Sequence, residues 1–444
     1  MITDLTEGNI SRKLWSFSIP MLISVIFQQL YNIADSVIAG KFVGEDALAA
    51  VGASYPITMI YMAVAIGCNI GCSIIISQLF GGKSYKDMKT AISTTFFSSG
   101  ILSMILTVAG LVLCEPLLHM IHTPENIFAD TAAYLDIYVG GLVFLFLYNI
   151  CTGIFTALGD SRTPLYFLIG SSLGNIFLDW YFVTAFHMGV AGVAWATFIC
   201  QGIASLLSII TLINRLKRIK TEGKTVLFSG TMLKKISFVA IPSILQQSFI
   251  SIGNIIIQSL INSYGSAIIA GYSAAIKLNT FGITSFSTLA SGLSSFTAQN
   301  IGANKPERVK KGFRSGCILG LTVALPFFIA YFFFDETMLK LFLNSESSLA
   351  IQTGREFLKI VAPFYFVIAV KLMGDAVLRG AGAMGWFMAA TFADLLLRIV
   401  LAYVLSGSMG TIGIWIAWPI GWVLAMIISV IFYRKGVWKK ESYQ

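Results

Sequence analysis

The sequence predicts an all-α integral membrane protein of twelve transmembrane helices, in two six-helix lobes related by a pseudo-two-fold axis along the membrane normal. Three observations predict it. Of the 444 residues, 56% are hydrophobic and 11% charged, with mean hydropathy +0.81. A soluble domain carries about 25% charged residues, so this chain has too few to cover a water-facing surface. The apolar residues fall into runs, each long enough to cross roughly 30 Å of hydrocarbon as a helix. Short motifs of the first half recur in the second, in the same order.

The runs cover residues 14–40, 52–79, 91–113, 134–157, 165–185 and 190–213, then 236–261, 268–299, 315–334, 357–378, 386–405 and 411–433. The segment from Met1 to Lys13 is polar and the first apolar run is a full span, so no cleavable leader is expected. With the N-terminus inside, 23 of the 30 Lys and Arg fall on inner segments, and only Lys41, Lys340, Arg355 and Lys359 on outer ones. That bias places both termini in the cytoplasm and accounts for the net charge of +9 without a nucleic-acid partner. Of the six cysteines, all but Cys114 lie within apolar runs. Cys68 and Cys72 share a helix face but lack the further ligands a metal site needs, so buried thiols are expected.

A basic stretch, Asn214 to Lys235, divides the chain. The division gives a first lobe over 1–218, a cytoplasmic linker over 219–235 and a second lobe over 236–444. Ile19-Pro20 returns as Ile241-Pro242, with Asn32 and Asn254 twelve residues beyond each proline. Gln78 returns as Gln299, Ala157-Leu158-Gly159 as Gly380-Ala381-Gly382, and Met188-Gly189 as Met409-Gly410, each at an offset of about 221 residues. Six spans per repeat is an even number, so both halves cross in the same sense, and the two lobes they imply suit alternating access.

The residues Gln28-Gln29-Leu30-Tyr31-Asn32-Ile33-Ala34-Asp35, Ala47-Leu48-Ala49-Ala50-Val51-Gly52 and Ala240-Ile241-Pro242-Ser243, with the paired motifs above, resemble the multidrug and toxic compound extrusion (MATE) family. They are most similar to its prokaryotic DinF-like branch. The resemblance covers nearly the whole chain. It implies a monomeric antiporter in the inner membrane of a prokaryote, surrounded by lipid, that exports organic cations in exchange for protons or sodium ions. No cofactor beyond that ion is implied.

Ionisable groups inside spans are costly and mark function. Asp35 lies about 5 residues, ~8 Å, below the outer end of the first span. Asp179 on the fifth span and Thr197 on the sixth lie about 7 residues, ~10 Å, deep. Asn175 precedes Asp179 by one turn and shares its face. Asp35, Asn175, Asp179 and Thr197 therefore bring polar oxygens to one level. Two carboxylates in low dielectric do not easily both stay ionised, so the set binds a proton; the same oxygens also suit sodium. The resemblance assigns these four residues to cation coupling and gives Pro20 the role of a hinge in the first helix.

At the repeat offset the second half has no matching acid pair: Asp394, Arg398 and Trp418 fall near the places of Asn175, Asp179 and Thr197. Asp394 with Arg398, and Lys371 with Asp375, have i, i+4 spacing and are expected to pair. Lys277 is expected to find a partner such as Asp375. Tyr31, Asn32, Met59, Met62 and Tyr138, with Lys277 and Asp375, are candidates for a cavity taking flat cations, since methionine and aromatic rings adapt to such ligands. A lipid-linked-precursor flippase of the same architecture is the alternative. It would hold pyrophosphate with many basic side chains, and only Lys277, Lys371 and Arg398 lie within spans. An enzyme lacks support: His119, His122 and His187 form no ligand cluster, and no phosphate-binding Gly-Lys motif points to ATP.

Overall fold

The computed structural model describes residues 2–38, 42–221, 223–343 and 348–439. Every regular element among them is a helix. The first half holds α1 (Ile10–Ile38), α2 (Glu45–Gly81), α3 (Tyr85–Met120), α4 (Glu125–Gly140), α5 (Leu142–Ala157), α6 (Arg162–Thr184) and α7 (Gly189–Leu216). The second holds α8 (Gly230–Asn262), α9 (Ser266–Gly302), α10 (Pro306–Phe333), α11 (Asp335–Leu339), α12 (Ser348–Val361), α13 (Tyr365–Gly380), α14 (Met384–Met409) and α15 (Thr411–Lys435). Among the described residues, nine spans are long and apolar enough to cross a membrane, α12 and α13 counting as one, and α4 with α5 makes a tenth. The two remaining long helices, α6 and α9, carry buried polar residues: Asn175 and Asp179 on one, Asn279, Ser294, Thr297, Gln299 and Asn300 on the other.

The expected spans at 134–157 and 357–378 are longer than read and are broken. The first bends by 49° between α4 and α5, at Gly140-Gly141. Gly141 has no side chain to hold the turn, and a Cβ there would press on Phe198. The second passes through a 3-10 turn, Ala362–Phe364, where Pro363 lacks the N–H that would continue the helix. The two breaks stand at matching places in the repeat. So do residues with positive φ: Gly44 with Gly265, Lys83 with Asn304, Gly159 with Gly382, and Gly189 with Gly410. The duplication is therefore built into the backbone.

The chain forms two compact units. One comprises Ile23–Ile244 with the residues up to Asp4; the other comprises Leu5–Leu22 with everything from Leu245 on. The chain thus changes unit inside α1 and again inside α8, two residues after Pro20 and after Pro242.

In the first unit, Tyr61, Phe146, Leu118, Leu135 and Leu142 pack a core between α2, α3, α4 and α5. Gly67 and Gly71 let α2 meet the start of α8, where any Cβ would collide with Ile244 and Ala240. Side chains of α3 hold the segment before α8: Lys89 Nζ donates to Ile219 O at 2.7 Å, and Thr90 and Thr94 hydroxyls accept from Val226 N and Ser229 N at 3.3 and 3.0 Å. Asp160 is buried beneath α6. Its carboxylate accepts from Arg162 N and Thr163 N and is paired with Arg215 at the end of α7. Thr3 N donates to Leu158 O at 3.0 Å, and Gly159, at φ 73°, leaves room for Thr3 O.

The second unit has an aromatic core. Trp415 stacks on Tyr272 at 5.2 Å between ring centres, and Phe357 meets both Trp415 and Trp418 edge-on. Its N-terminal segment is tied down by polar contacts. Gln299 Oε1 accepts from Leu5 N at 2.9 Å, and Arg308 donates to Leu5 O, Gly8 O and Asn300 Oδ1.

Candidate functional site

In the first unit, α6 and α7 lie side by side and place Asn175, Asp179 and Thr197 together. Asn175 and Asp179 are 3% and 0% exposed, which makes them the costliest polar groups of α6 to leave unsatisfied. The Asn175 amide has two settings, which its contacts must decide between. In one, Nδ2 donates to Thr197 Oγ1 at 3.4 Å. In the other, Nδ2 donates to Asp179 Oδ2 and Tyr31 Oη, both at 3.2 Å, while Oδ1 accepts from Thr197 N at 3.0 Å. The second setting satisfies the whole amide, and we adopt it. Asn175 then bridges three helices: Tyr31 on α1, Asp179 on its own α6 and Thr197 on α7. Asp35 follows Tyr31 by one turn of α1, but its side chain lies outside the described residues.

In the second unit the charges arrange themselves differently from the expectation. Lys371 does pair with Asp375, Nζ to Oδ2 at 2.7 Å, and Ser429 Oγ donates to the other carboxylate oxygen at 2.6 Å. Lys277 does not reach Asp375. It is exposed, with Nζ 5.8 Å from the centre of the Phe342 ring. Asp375 is already satisfied by groups nearer to it, so no force draws Lys277 inward. Asp394 and Arg398 do not pair either: the Arg398 guanidinium lies 4.4 Å from the centre of the Trp418 ring. Helical spacing allowed the pair, but an indole from α15 holds the arginine instead.

A MatE family model matches residues 20–181 and again 242–404, most of the chain and once per repeat. The chain belongs to the MATE family. It is 30% identical to the "Probable multidrug resistance protein YpnP" of Bacillus subtilis, over 98% of this chain and 97% of that protein. It is 28% identical to "Probable multidrug resistance protein YoeA" of the same organism, over 98% and 96%. A solved structure described as an "Outward-facing conformation of a multidrug resistance MATE family transporter" superposes with a TM-score of 0.90 at 25% identity, covering 98% of each chain. The protein is thus a multi-pass membrane transporter of the twelve-helix, two-lobe class.

The remaining expected residues of this MATE chain fall in several environments. Met59, Met62 and Tyr138 are half-buried in the first unit, where Met62 and Tyr138 pack against the Tyr61 and Phe146 core. Asn32 is exposed and donates to Gln29 Oε1. Pro20 is buried within α1. Asp375 is only 3% exposed and is tied to Lys371 and Ser429. Tyr31, a cavity candidate by sequence, meets the Asn175 amide with its hydroxyl. The signal was available, because Tyr31 and Asp35 stand one turn apart and share a helix face.

Proposed function

We propose that this MATE transporter is a secondary active antiporter that exports organic cations in exchange for protons, coupling the two at Asp35 and Asp179 in the first lobe with Asn175 and Thr197 in support. The observation that supports it most is the buried Tyr31–Asn175–Asp179 set, in which a carboxylate with no exposure is held by an amide. A buried carboxylate of this kind changes charge only if a proton or cation arrives to neutralise it. When the site is empty, its negative charge favours the cationic substrate. When a proton arrives from outside, that attraction is lost and the substrate leaves. Because linkage is reciprocal, substrate binding must weaken proton binding by the same factor. Sodium is the other ion these oxygens suit.

Purified protein in proteoliposomes, loaded with a fluorescent organic cation, separates the possibilities. A pH gradient alone should drive export, and Asp35→Asn and Asp179→Asn should each abolish it while the protein still inserts. Export driven by a sodium gradient at equal pH would assign the ion as sodium. Wild-type export by both variants would overturn the site.

A further inference from the structure

The segment between the repeats carries three consecutive apolar residues, Val226, Leu227 and Phe228, which are 54%, 72% and 41% exposed. Large apolar side chains facing out of a loop in a row are costly in water. The segment does not stand free. It lies along the first turns of α3, within the same compact unit. Thr90 Oγ1 accepts from Val226 N at 3.3 Å and Thr94 Oγ1 from Ser229 N at 3.0 Å, while Ser93 Oγ donates to Val226 O at 3.2 Å. The α3 hydroxyls thus take the place of water for backbone groups of a non-helical stretch, which is what such a stretch needs in order to enter the edge of a bilayer. The side chains stand at the same level. Phe228 meets Phe97 edge-on, with ring centres 5.5 Å apart. Phe97 is 49% exposed and opens a stripe of α3, through Ile101, Met104, Ile105 and Val108, that stays exposed along this span. On a helix that crosses the membrane such a stripe faces lipid. The apolar triplet is continuous with it.

Basic side chains stand beside the triplet. Lys86 in the first turn of α3, Lys220 and Lys224 are all exposed, and the Lys86 ammonium packs over Gly223, 3.6 Å from where a Cβ would stand. Lys89 Nζ donates to Ile219 O at 2.7 Å and to Thr221 Oγ1 at 3.3 Å, which holds the basic stretch against α3. Against these stand Asp87 on α3 and Glu222, whose structure lies outside the described residues, so the excess is basic. Apolar side chains with ammonium groups behind them match the two layers of an anionic phospholipid surface, acyl chain and phosphate. We propose that the segment 223–229 is seated in the membrane surface: Val226, Leu227 and Phe228 enter among the acyl chains at the end of α3, and Lys86, Lys220 and Lys224 hold anionic phospholipid headgroups over them. A water-soluble protein partner would have to cover Leu227 at the level of the lipid-facing stripe, where lipid already stands. Seated in this way, the connection between the repeats is held at both edges, by α3 and by lipid, and fixes where α8 begins. The assignment does not depend on the proposed coupling residues.

The test uses the full-length protein in nanodiscs of phosphatidylcholine and phosphatidylglycerol in equal amounts and requires no transport. Leu227→Trp puts a fluorescent reporter at the most exposed position of the triplet, and subtracting the wild-type emission removes the eight native tryptophans. Bromine at a shallow acyl position is carried by one lipid or by the other, with the bulk composition unchanged. Bromine on phosphatidylglycerol should quench the reporter at least about fivefold more strongly than bromine on phosphatidylcholine, the preference one lysine near an anionic surface supplies. Lys86→Gln, Lys220→Gln and Lys224→Gln together should bring the two lipids toward parity while both still quench. A reporter that neither lipid quenches, equal quenching by both with the lysines intact, or a preference unchanged in the triple variant would each overturn the proposal. Val226→Trp supplies the reporter if Leu227→Trp fails to fold.

Discussion

Replacing Asn175 by leucine tests whether its amide sets Asp179, the proposed coupling carboxylate. Leucine fills nearly the same volume but removes the Nδ2 donor that reaches Asp179 Oδ2 and Tyr31 Oη and the Oδ1 that accepts from Thr197 N. A hydrogen bond to a charged group contributes about 1.5–3 kcal/mol. The 3.2 Å separation is at the long end for N–H···O, so the lower figure, about 1.5 kcal/mol, is the appropriate one. That is roughly tenfold in an equilibrium constant. The bond supports the ionised form, so its loss favours the protonated one. Export by Asn175→Leu should be up to about tenfold slower at neutral luminal pH and should recover when the substrate-loading side is made more alkaline. Initial rates of fluorescent cation export from proteoliposomes, measured against luminal pH, give the profile. A profile that superimposes on wild type would refute the reasoning, because the amide would then make no difference to the carboxylate. A loss that no alkalinity restores would refute it too, by placing Asn175 in folding.

Asp375→Leu should destabilise the protein by about 3–5 kcal/mol by stranding the Lys371 ammonium, while Lys371→Met with Asp375→Leu should regain most of that; melting in detergent followed by size exclusion reads both. Asp160→Ala should cost about 2–4 kcal/mol, since it removes both the cap of α6 and the partner of Arg215, whose side chain is 23% exposed and so only partly stranded. Asp160→Asn, which keeps an acceptor at the cap, should cost less in the same melt. Pro20→Ala should leave insertion and melting close to wild type and lower export, if bending of α1 at that point is part of the cycle; unchanged export removes the hinge role.

Spans and repeat were legible because they are carried by many residues at once. Hydropathy located every long helix, and the recurrence of Ile19-Pro20, Gln78 and Gly159 anticipated the recurrence of backbone turns at Lys83 and Asn304 and at Gly159 and Gly382. The breaks in the fourth and tenth spans were not legible. Gly140-Gly141 and Pro363 are tolerated in many unbroken membrane helices, and only packing decides that these ones bend. In the site, spacing put Asn175, Asp179 and Thr197 within reach of one another, since face follows from helix geometry, and the three are in contact. Spacing failed for Asp394 and Arg398, because it says which side chains can meet along one helix. It does not say that Trp418 on another helix will take the arginine first. Lys277 failed for a related reason: Asp375 already had Lys371 one turn away and Ser429 across from it.

The change of unit inside α1 and α8 bears on how the chain is made. The second unit includes Leu5–Leu22, which is synthesised before the body of the first unit, while the rest of that unit starts only at Leu245. The early segment must therefore wait through more than two hundred residues of synthesis before its own core exists. The first unit, for its part, is incomplete until α8 has begun to emerge, because it extends to Ile244. A cut in the basic stretch between the repeats would leave each fragment without a helical segment that belongs to its core. The sequence repeats once, but the boundary between the repeats is not the boundary between the compact units.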